Sequence, residues 1–175
     1  MEKRKEERSW ALLQATVSFR NDQRFRFQYF GKNAFQLRDL LDKKGYRDNL
    51  SFVDQFPPEQ TLSFYAKTDI INNVYGNHSL FVDYLYSNKL YYAAGLGLPI
   101  LVSPQTYMAE VVERYGLGFV FDPEDPNAPD KLYKYYGGID WAAFDERCEA
   151  FCEMVAEDDR KFERLVREFV FGAGN

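Results

Sequence analysis

Strand-like and helix-like segments alternate along most of this 175-residue chain, and their order constrains the fold more than any single motif. Each short apolar or aromatic run typical of a strand is followed by a segment with apolar residues at helical spacing. The strand-like runs lie at residues 24–30, 49–54, 69–74, 99–103 and 117–121. Such alternation favours a parallel sheet with helices on both faces. We therefore predict an α/β fold with a parallel sheet of about five strands, flanked by helices and followed by C-terminal helices.

Length and continuity favour one domain that spans residues 1–175. A chain of this size buries roughly 70% of the surface of its unfolded form, which is enough for a substantial core. No internal repeat, low-complexity tract or interdomain linker interrupts the sequence. Ligands of open α/β sheets bind beyond the carboxyl ends of the strands. The loops that follow the predicted strands are therefore the first places to look for a site.

Charge and hydropathy exclude two classes of partner. The net charge is −5 and the isoelectric point is about 5.0, whereas a general nucleic-acid binder needs a basic face to neutralise phosphates. No apolar stretch approaches the roughly 18 residues of a membrane span, and the opening MEKRKEER lacks the apolar segment of a signal peptide. We expect a cytoplasmic protein without a nucleic-acid partner or a membrane span. A peripheral position at the inner membrane face, through a membrane-bound partner, stays open.

Cysteine and histidine are too sparse to indicate a metal site. Cys148 and Cys152 are four residues apart on a helical pattern, which favours two reduced thiols on one helix face over a disulfide. The single histidine, His78, is distant in sequence, and no ligand-like spacing accompanies it. We therefore predict no metal and no cofactor.

The stretch YSNKLYYAAGLGLPILVS, residues 86–103, predicts a helix capped by Ser87 and followed by a buried strand. The first N–H groups of a helix lack internal partners and carry a partial positive charge. We expect the N–H groups of Asn88, Lys89 and Leu90 to be available there, and the Lys89 side chain adds a full charge. A bound phosphate would meet all of these groups together. An ordinary cap beside a solvated lysine explains the same residues, and the chain has neither a Walker-type loop nor G-x-G-x-x-G after a strand.

This stretch resembles the nucleotide-sugar-binding half of the GT-B glycosyltransferases. In many of them, as in NKLYYAAGLGLPILVS here, a lysine near a helix start precedes a small-residue helix, Gly-x-Pro and an apolar strand. The similarity extends upstream through FQYFGKN and NLSFVDQFPPEQTLSFYAKTDIINNVYGN, and downstream through PQTYMAEVVERYGLGF, so that it covers roughly residues 10–122. The segments SFYAKTDIINNVYGN and SNKLYYAAGLGLPILVSPQTYMAEVV are most similar to bacterial capsular and exopolysaccharide glycosyltransferases. The resemblance implies a Rossmann-like sheet and a single GT-B C-terminal-type donor-binding domain over residues 1–175.

The resemblance implies a function for this half. Its donor would be a nucleoside diphosphate (NDP) sugar, with a UDP-sugar as the first expectation, and the product would be a surface polysaccharide. The half would be incomplete without an acceptor-binding N-terminal half, supplied in cis or in trans. On its own it would be inactive.

The resemblance also implies where the donor binds. The diphosphate would lie over the helix start, where Lys89 would stabilise the charge that develops on the leaving group. The base would lie near Gln55 and Phe56 after the second strand, and Asn77 and His78 would line the sugar side. The full set of expected nucleotide-sugar-binding residues is Gly31, Lys32, Gln55, Phe56, Asn77, His78, Ser87, Asn88, Lys89 and Tyr92.

Two departures from the family pattern affect these expectations. Many retaining members carry two glutamates, and here Tyr92 stands at the helix position and Tyr84 at the upstream one. Neither tyrosine can replace a carboxylate as an anionic acceptor of sugar hydroxyls, so no catalytic set is complete in this chain. The sequence also starts at the helix that usually follows the first strand, so we expect that strand to be absent, with its two neighbours either paired directly or left with an exposed edge.

Two other functions remain open from the sequence. One is a non-catalytic interaction subunit of a split glycosyltransferase, which the high aromatic content (18%) and the absent strand favour. The other is an unrelated flavodoxin-like binding domain, because the same order of strands and helices also builds flavin sites.

Overall fold

The structure, a computed structural model, describes residues 13–20, 22–46 and 48–172. Its strands are β1 Phe27–Phe30, β2 Leu50–Val53, β3 Ile71–Asn73, β4 Ile100–Val102 and β5 Gly118–Val120. Its helices are α1, which includes residues 13–17, then α2 Ala34–Lys43, α3 Thr61–Tyr65, α4 Leu80–Asp83, α5 Asn88–Gly95, α6 Tyr107–Tyr115, α7 Ala128–Gly137 and α8 Trp141–Phe171. A short 3₁₀ turn, Pro58–Gln60, precedes α3.

The strands form two small parallel sheets. One sheet pairs β1 with β2, and the other has the order β3-β4-β5. The predicted α/β class is confirmed, but each sheet has fewer strands than the five that we predicted for a single sheet. The division falls between β1 and β3, which do not pair with each other.

One face of both sheets is covered by α1 and α7. Phe19, two residues after α1, is in one buried cluster with Phe121 after β5 and Leu132 of α7, and Phe27 of β1 packs against that cluster. The rings of Phe19 and Phe121 are stacked with centroids 4.9 Å apart. Since residues of both sheets pack together here, apolar packing connects the sheets where strand pairing does not.

The opposite face of the three-stranded sheet is covered by α5, α6 and α8. Leu90 of α5, Val112 of α6 and Phe144 of α8 are buried together against Ile100 of β4. Full burial of one such side chain contributes about 1.5–3 kcal/mol, so this cluster is a main source of stability. The prediction of helices on both faces of a sheet is therefore confirmed.

At the C-terminal end the sequence predicts two final helices, at about residues 140–157 and 159–170, with a break near residue 158, and the structure differs from this prediction. Helix α8 is continuous from Trp141 to Phe171, because charged residues around position 158 are compatible with a helix and nothing there breaks it. Its buried side chains are confined to its first part, the last of them being Phe151. From Ala156 onward every described residue is exposed, so the second half of α8 extends beyond the core.

Candidate functional site

A cavity of about 740 Å³ lies between β1 and β3. All four residues of β1 line one wall, and Ile71 and Asn72 of β3 line the other. Residues that precede both strands and residues that follow them also line it. The cavity therefore runs along the whole length of the gap between the two sheets.

Both strands that border the cavity run in the same direction. Two residues before β1, the ring of Phe25 lies edge-on to Tyr133 of α7, with centroids 6.3 Å apart. Two residues before β3, the carboxylate of Asp69 lies beside the hydroxyl of Tyr136, one turn further along α7. Since the amino ends of β1 and β3 both reach this face of α7, their carboxyl ends lie together at the other end of the cavity.

The carboxyl end of the cavity, which we call the mouth, is lined by residues from three loops and one helix. Gly31 and Lys32 follow β1, Phe56 follows β2, and Tyr75 follows β3. Lys89 reaches the mouth from the first turn of α5. Four of the sequence-predicted site residues, Gly31, Lys32, Phe56 and Lys89, are thus brought to one cavity.

Lys89 has the most defined geometry of these residues. Its Nζ donates a hydrogen bond of 2.7 Å to the backbone carbonyl of Asn72, and it lies 5.0 Å from the centre of the Tyr75 ring. The side chain is half-buried. An ammonium has three donors, so two N–H groups besides the one held by Asn72 can serve an anion at the mouth.

The start of α5 is capped as predicted, but it offers fewer backbone donors than expected. Ser87 Oγ accepts from the N–H of Lys89 at 3.3 Å, and the Ser87 carbonyl accepts from the N–H of Leu90 at 3.0 Å. The expectation that three backbone N–H groups are available is therefore wrong for Lys89 and Leu90. The cap uses them because an N-cap residue bonds to the donors of the first turn. The charge at this helix start comes mainly from the lysine side chain.

The other sequence-predicted site residues do not line the cavity. They are Gln55, Asn77, His78, Ser87, Asn88 and Tyr92. Gln55, His78 and Asn88 are exposed, and Tyr92 packs its ring against Tyr65, with centroids 5.3 Å apart.

Asn77 lies in the loop after β3, which is hydrogen-bonded to the loop after β4. The Asn77 side chain donates to the carbonyl of Pro104 at 3.2 Å, and the N–H of Gly76 donates to Ser103 Oγ at 2.9 Å. These bonds join the loop after β3 to the loop after β4. Asn77 therefore shapes the surface beside the mouth and does not reach into it.

Sequence analysis missed two buried polar groups, one directly after β2 and one within β1. Asp54, directly after β2, has a buried carboxylate oxygen without a hydrogen-bond partner among the described residues. Gln28 of β1, which lines the cavity, also has a buried side-chain oxygen without a hydrogen-bond partner among the described residues. Buried polar groups are usually paired, so the Gln28 oxygen, which lines the cavity, could accept from a ligand there. An acidic residue that ends an apolar run, as in NLSFVD, is a signal that could have identified Asp54.

Two tyrosines in the cavity wall remain neutral hydrogen-bond donors over the physiological range. Burial raises the pKa of Tyr65, and burial together with the nearby Asp69 carboxylate raises the pKa of Tyr136. Both hydroxyls are therefore protonated at neutral pH. The Tyr136 hydroxyl is hydrogen-bonded to Asp69, whereas the Tyr65 hydroxyl can donate to a bound group.

Neither a metal centre nor a membrane-spanning helix is found in the part of the chain that the structure describes. Within residues 13–20, 22–46 and 48–172, no cluster of three or more His, Cys, Asp or Glu side chains could hold a metal ion. Over the same ranges, no helix combines the length and apolar composition needed to cross a bilayer.

Comparison with known proteins assigns no family to the chain. No protein-family model matches it, and no curated protein is significantly similar to it. The site must therefore be interpreted from its own geometry.

Proposed function

We propose that this chain is the donor-binding half of a glycosyltransferase, and that it binds a nucleoside diphosphate sugar at the mouth of the cavity. The observation that carries the proposal is the position of Lys89, whose ammonium bonds to the Asn72 carbonyl of β3 and lines the same cavity as Gly31 and Lys32, which follow β1. In open α/β sheets this end is where ligands bind. The preferred donor is a UDP-sugar, and the product is a bacterial surface polysaccharide.

The mouth has the chemistry that a diphosphate group requires. Two lysines, Lys32 and Lys89, line one cavity and can form charge-assisted hydrogen bonds to phosphate oxygens. Gly31, with φ of +119°, has no atom within 4 Å of where a Cβ would stand, so a ligand can approach the backbone there. Developing charge on a leaving diphosphate would be stabilised by the same ammonium groups.

The mouth also has a surface for a nucleobase. Phe56 lies edge-on to Phe64 with centroids 4.7 Å apart, and Phe30 stacks on Phe64 at 4.0 Å. This aromatic cluster borders the cavity beside Lys32. Bases stack on such rings with little regard to their identity, so the cluster supports nucleotide binding more than a choice of base.

The proposed half lacks the groups for a complete reaction. Tyr92 and Tyr84 stand where the resembled retaining enzymes have glutamates, and both are exposed, Tyr84 by 74%. The proposal therefore includes an acceptor-binding half, in cis or in trans, that completes the catalytic site. A cytoplasmic protein at the inner membrane face fits this role.

Titration with UDP by calorimetry tests the proposal. We expect saturable 1:1 binding, and we expect Lys89→Ala to weaken it about tenfold or more, because a charge-assisted hydrogen bond is worth about 1.5–3 kcal/mol. Lys161→Ala is the matched control, since Lys161 is an exposed lysine on the distant half of α8. It should leave the affinity unchanged.

Three results would contradict the proposal. They are the absence of saturable UDP binding, an equal affinity for UDP in the Lys89→Ala variant, and preferential binding of flavin mononucleotide. The last result would favour a flavodoxin-like domain. Thermal unfolding of each variant separates loss of a ligand contact from loss of the fold.

A further inference from the structure

Both walls of the gap between the sheets are strand edges that pair with no other strand in the part of the chain that the structure describes. In a parallel pair, alternate residues bond to the same neighbour. Phe27 donates to the carbonyl of Asn49 at 2.8 Å and Gly31 to that of Val53 at 2.9 Å. The backbone groups of the alternate residues Gln28 and Phe30 therefore point away from β2, into the gap.

The same alternation applies on the other side. Ile71 of β3 donates to the carbonyl of Pro99 at 2.8 Å, next to β4. The backbone of Asn72 therefore points away from β4, which agrees with the bond that its carbonyl accepts from Lys89. Two strand edges, neither of which pairs with another strand among the described residues, thus face one cavity from opposite sides.

The size and walls of the gap suit an extended polypeptide segment. A residue in a packed sheet takes roughly 160 Å³, from the spacings between residues, strands and layers. A volume of about 740 Å³ therefore fits a strand of about four or five residues. Phe19 borders the gap from the α1 face and Phe64 from the α3 face, so an occupant would be covered on both sides.

We propose that the gap between β1 and β3 is a docking slot for one extended, apolar strand of a second polypeptide, which joins the two sheets into one. Strands that are covered on both faces of a parallel sheet are almost continuously apolar, so the partner segment is a run of residues such as Val and Ile. The inserted strand bonds to Gln28 and Phe30 on one side and to Asn72 on the other. The proposal does not depend on the identity of the donor.

The chemistry of the slot argues against the charged opening segment of this sequence as its occupant. The segment MEKRKEER of this chain has seven charged residues in eight, and these would be costly between two apolar layers. The Lys89 ammonium now holds the Asn72 carbonyl, which is how charged side chains protect exposed edges from unwanted pairing. An incoming strand replaces or shares that contact.

Binding of a synthetic peptide to the full chain tests the slot. The probe is the acetylated, amidated peptide Lys-Lys-Val-Ile-Val-Ile-Val-Lys-Lys, measured by fluorescence anisotropy. We expect saturable 1:1 binding. In an inserted strand, alternate residues bond to opposite edges. The backbone N–H of the central Val therefore bonds to one edge and that of a neighbouring Ile to the other. We expect N-methylation at either position alone to weaken binding at least about tenfold.

A pair of protein variants examines one wall directly. Gln28→Pro removes an N–H that points into the gap and keeps the bonds to β2, whereas Gln28→Thr loses the same side chain and keeps that N–H. We expect Gln28→Pro to weaken peptide binding about tenfold and Gln28→Thr to leave it nearly unchanged. If Gln28→Pro does not fold by circular dichroism, the N-methylated peptides on the wild-type chain decide.

Each other outcome overturns the proposal. If N-methylation weakens peptide binding at only one of the two positions, the peptide bonds to a single strand and has added to an outer edge, such as that of β5. Insensitivity at both means non-specific apolar adsorption, and the absence of binding means that the slot takes no strand. A dimer of the chain that the peptide dissociates means that a second copy is the occupant. UDP binding is measured separately, so failure of the slot and failure of the donor site are distinguishable.

Discussion

At the scale of single residues, Gly118 is the position where packing leaves the least freedom. It opens β5 directly beside β4, and a Cβ placed there would lie 2.0 Å from the carbonyl oxygen of Ile100. That oxygen belongs to the backbone of a buried strand and cannot move aside. Glycine is therefore required by the close approach of two strands and not by an unusual φ.

We predict that Gly118→Ala destabilises the fold by about 3 kcal/mol or more, because the added methyl must push β5 away from β4. Urea unfolding followed by circular dichroism measures the change. Gly137→Ala is the matched control: Gly137 ends α7, and a Cβ added there would have no atom within 4 Å. That variant should be neutral or slightly more stable, and equal effects of the two substitutions would refute the explanation.

Prediction of the candidate site at this scale depended on local signals. The Ser87 cap was readable from the sequence, because capping is a contact between residues two or three positions apart. The acceptor of the Lys89 ammonium was not readable, because Asn72 is 17 residues away and meets Lys89 only after β3 and α5 have packed. For the same reason, nothing in the sequence showed that Gln28 faces a cavity.

At the scale of elements, the second half of α8 carries apolar side chains that the described structure leaves exposed. They recur at helical spacing, and Phe169 is 90% exposed. The stripe consists of Phe162, Leu165, Val166, Phe169 and Val170. Large exposed apolar patches on a soluble protein usually mark contact surfaces.

We predict that a chain ending after Glu157 unfolds with a free energy within about 1 kcal/mol of the full chain, since every described residue from Ala156 onward is exposed. Urea unfolding provides the comparison. Light scattering should show less self-association, because the apolar stripe is gone. Phe151→Ala in the same helix is the contrast: Phe151 is buried, and its loss should cost about 3–5 kcal/mol. A large loss on truncation would mean that the distal half supports the core.

Most elements agreed with the sequence because their ends carry local signals. Helix α6 begins after Thr106, whose hydroxyl accepts from the N–H of Ala109 at 3.2 Å, and it ends at Gly116 in the left-handed conformation. The four-residue helix α4 was missed, since so short a helix has no periodicity. The break predicted near residue 158 was wrong, because charged residues alone do not end a helix.

At the scale of the whole molecule, burial raises the pKa of many tyrosines. The affected groups are Tyr29, Tyr46, Tyr65, Tyr86, Tyr135 and Tyr136. Burial also raises the pKa of the Cys148 thiol to about 11. In each case the neutral form is favoured in the folded state.

We predict that the free energy of unfolding is constant from pH 7 to about pH 8 and falls progressively as the pH rises towards 11. A group whose pKa is raised by folding contributes stability below its unfolded pKa and loses it above, since the unfolded chain ionises first. The loss begins with Cys148 above about pH 8.5 and steepens above about pH 10 as the tyrosines ionise. Urea unfolding at pH 8, 10 and 11 measures it.

The Tyr29→Phe variant is the control for this pH dependence. Tyr29 bonds to Thr16 Oγ1, and burial raises the pKa of its hydroxyl strongly. Removing the hydroxyl should make the decline above pH 10 shallower by at most about 1.4 kcal/mol per pH unit. A stability that stays flat or rises up to pH 11 would contradict the assignment.

The sequence by itself determined the α/β class, the order of the elements and the Ser87 cap, because period, capping and turn signals act over a few residues. Only the tertiary structure decided that the strands divide into two sheets. Strand pairing is set by contacts between distant segments, and β1 and β3 are kept apart while Phe19, Phe121 and Leu132 pack across both sheets. The same long-range packing placed Lys32 and Lys89 at one mouth and left two strand edges facing one cavity.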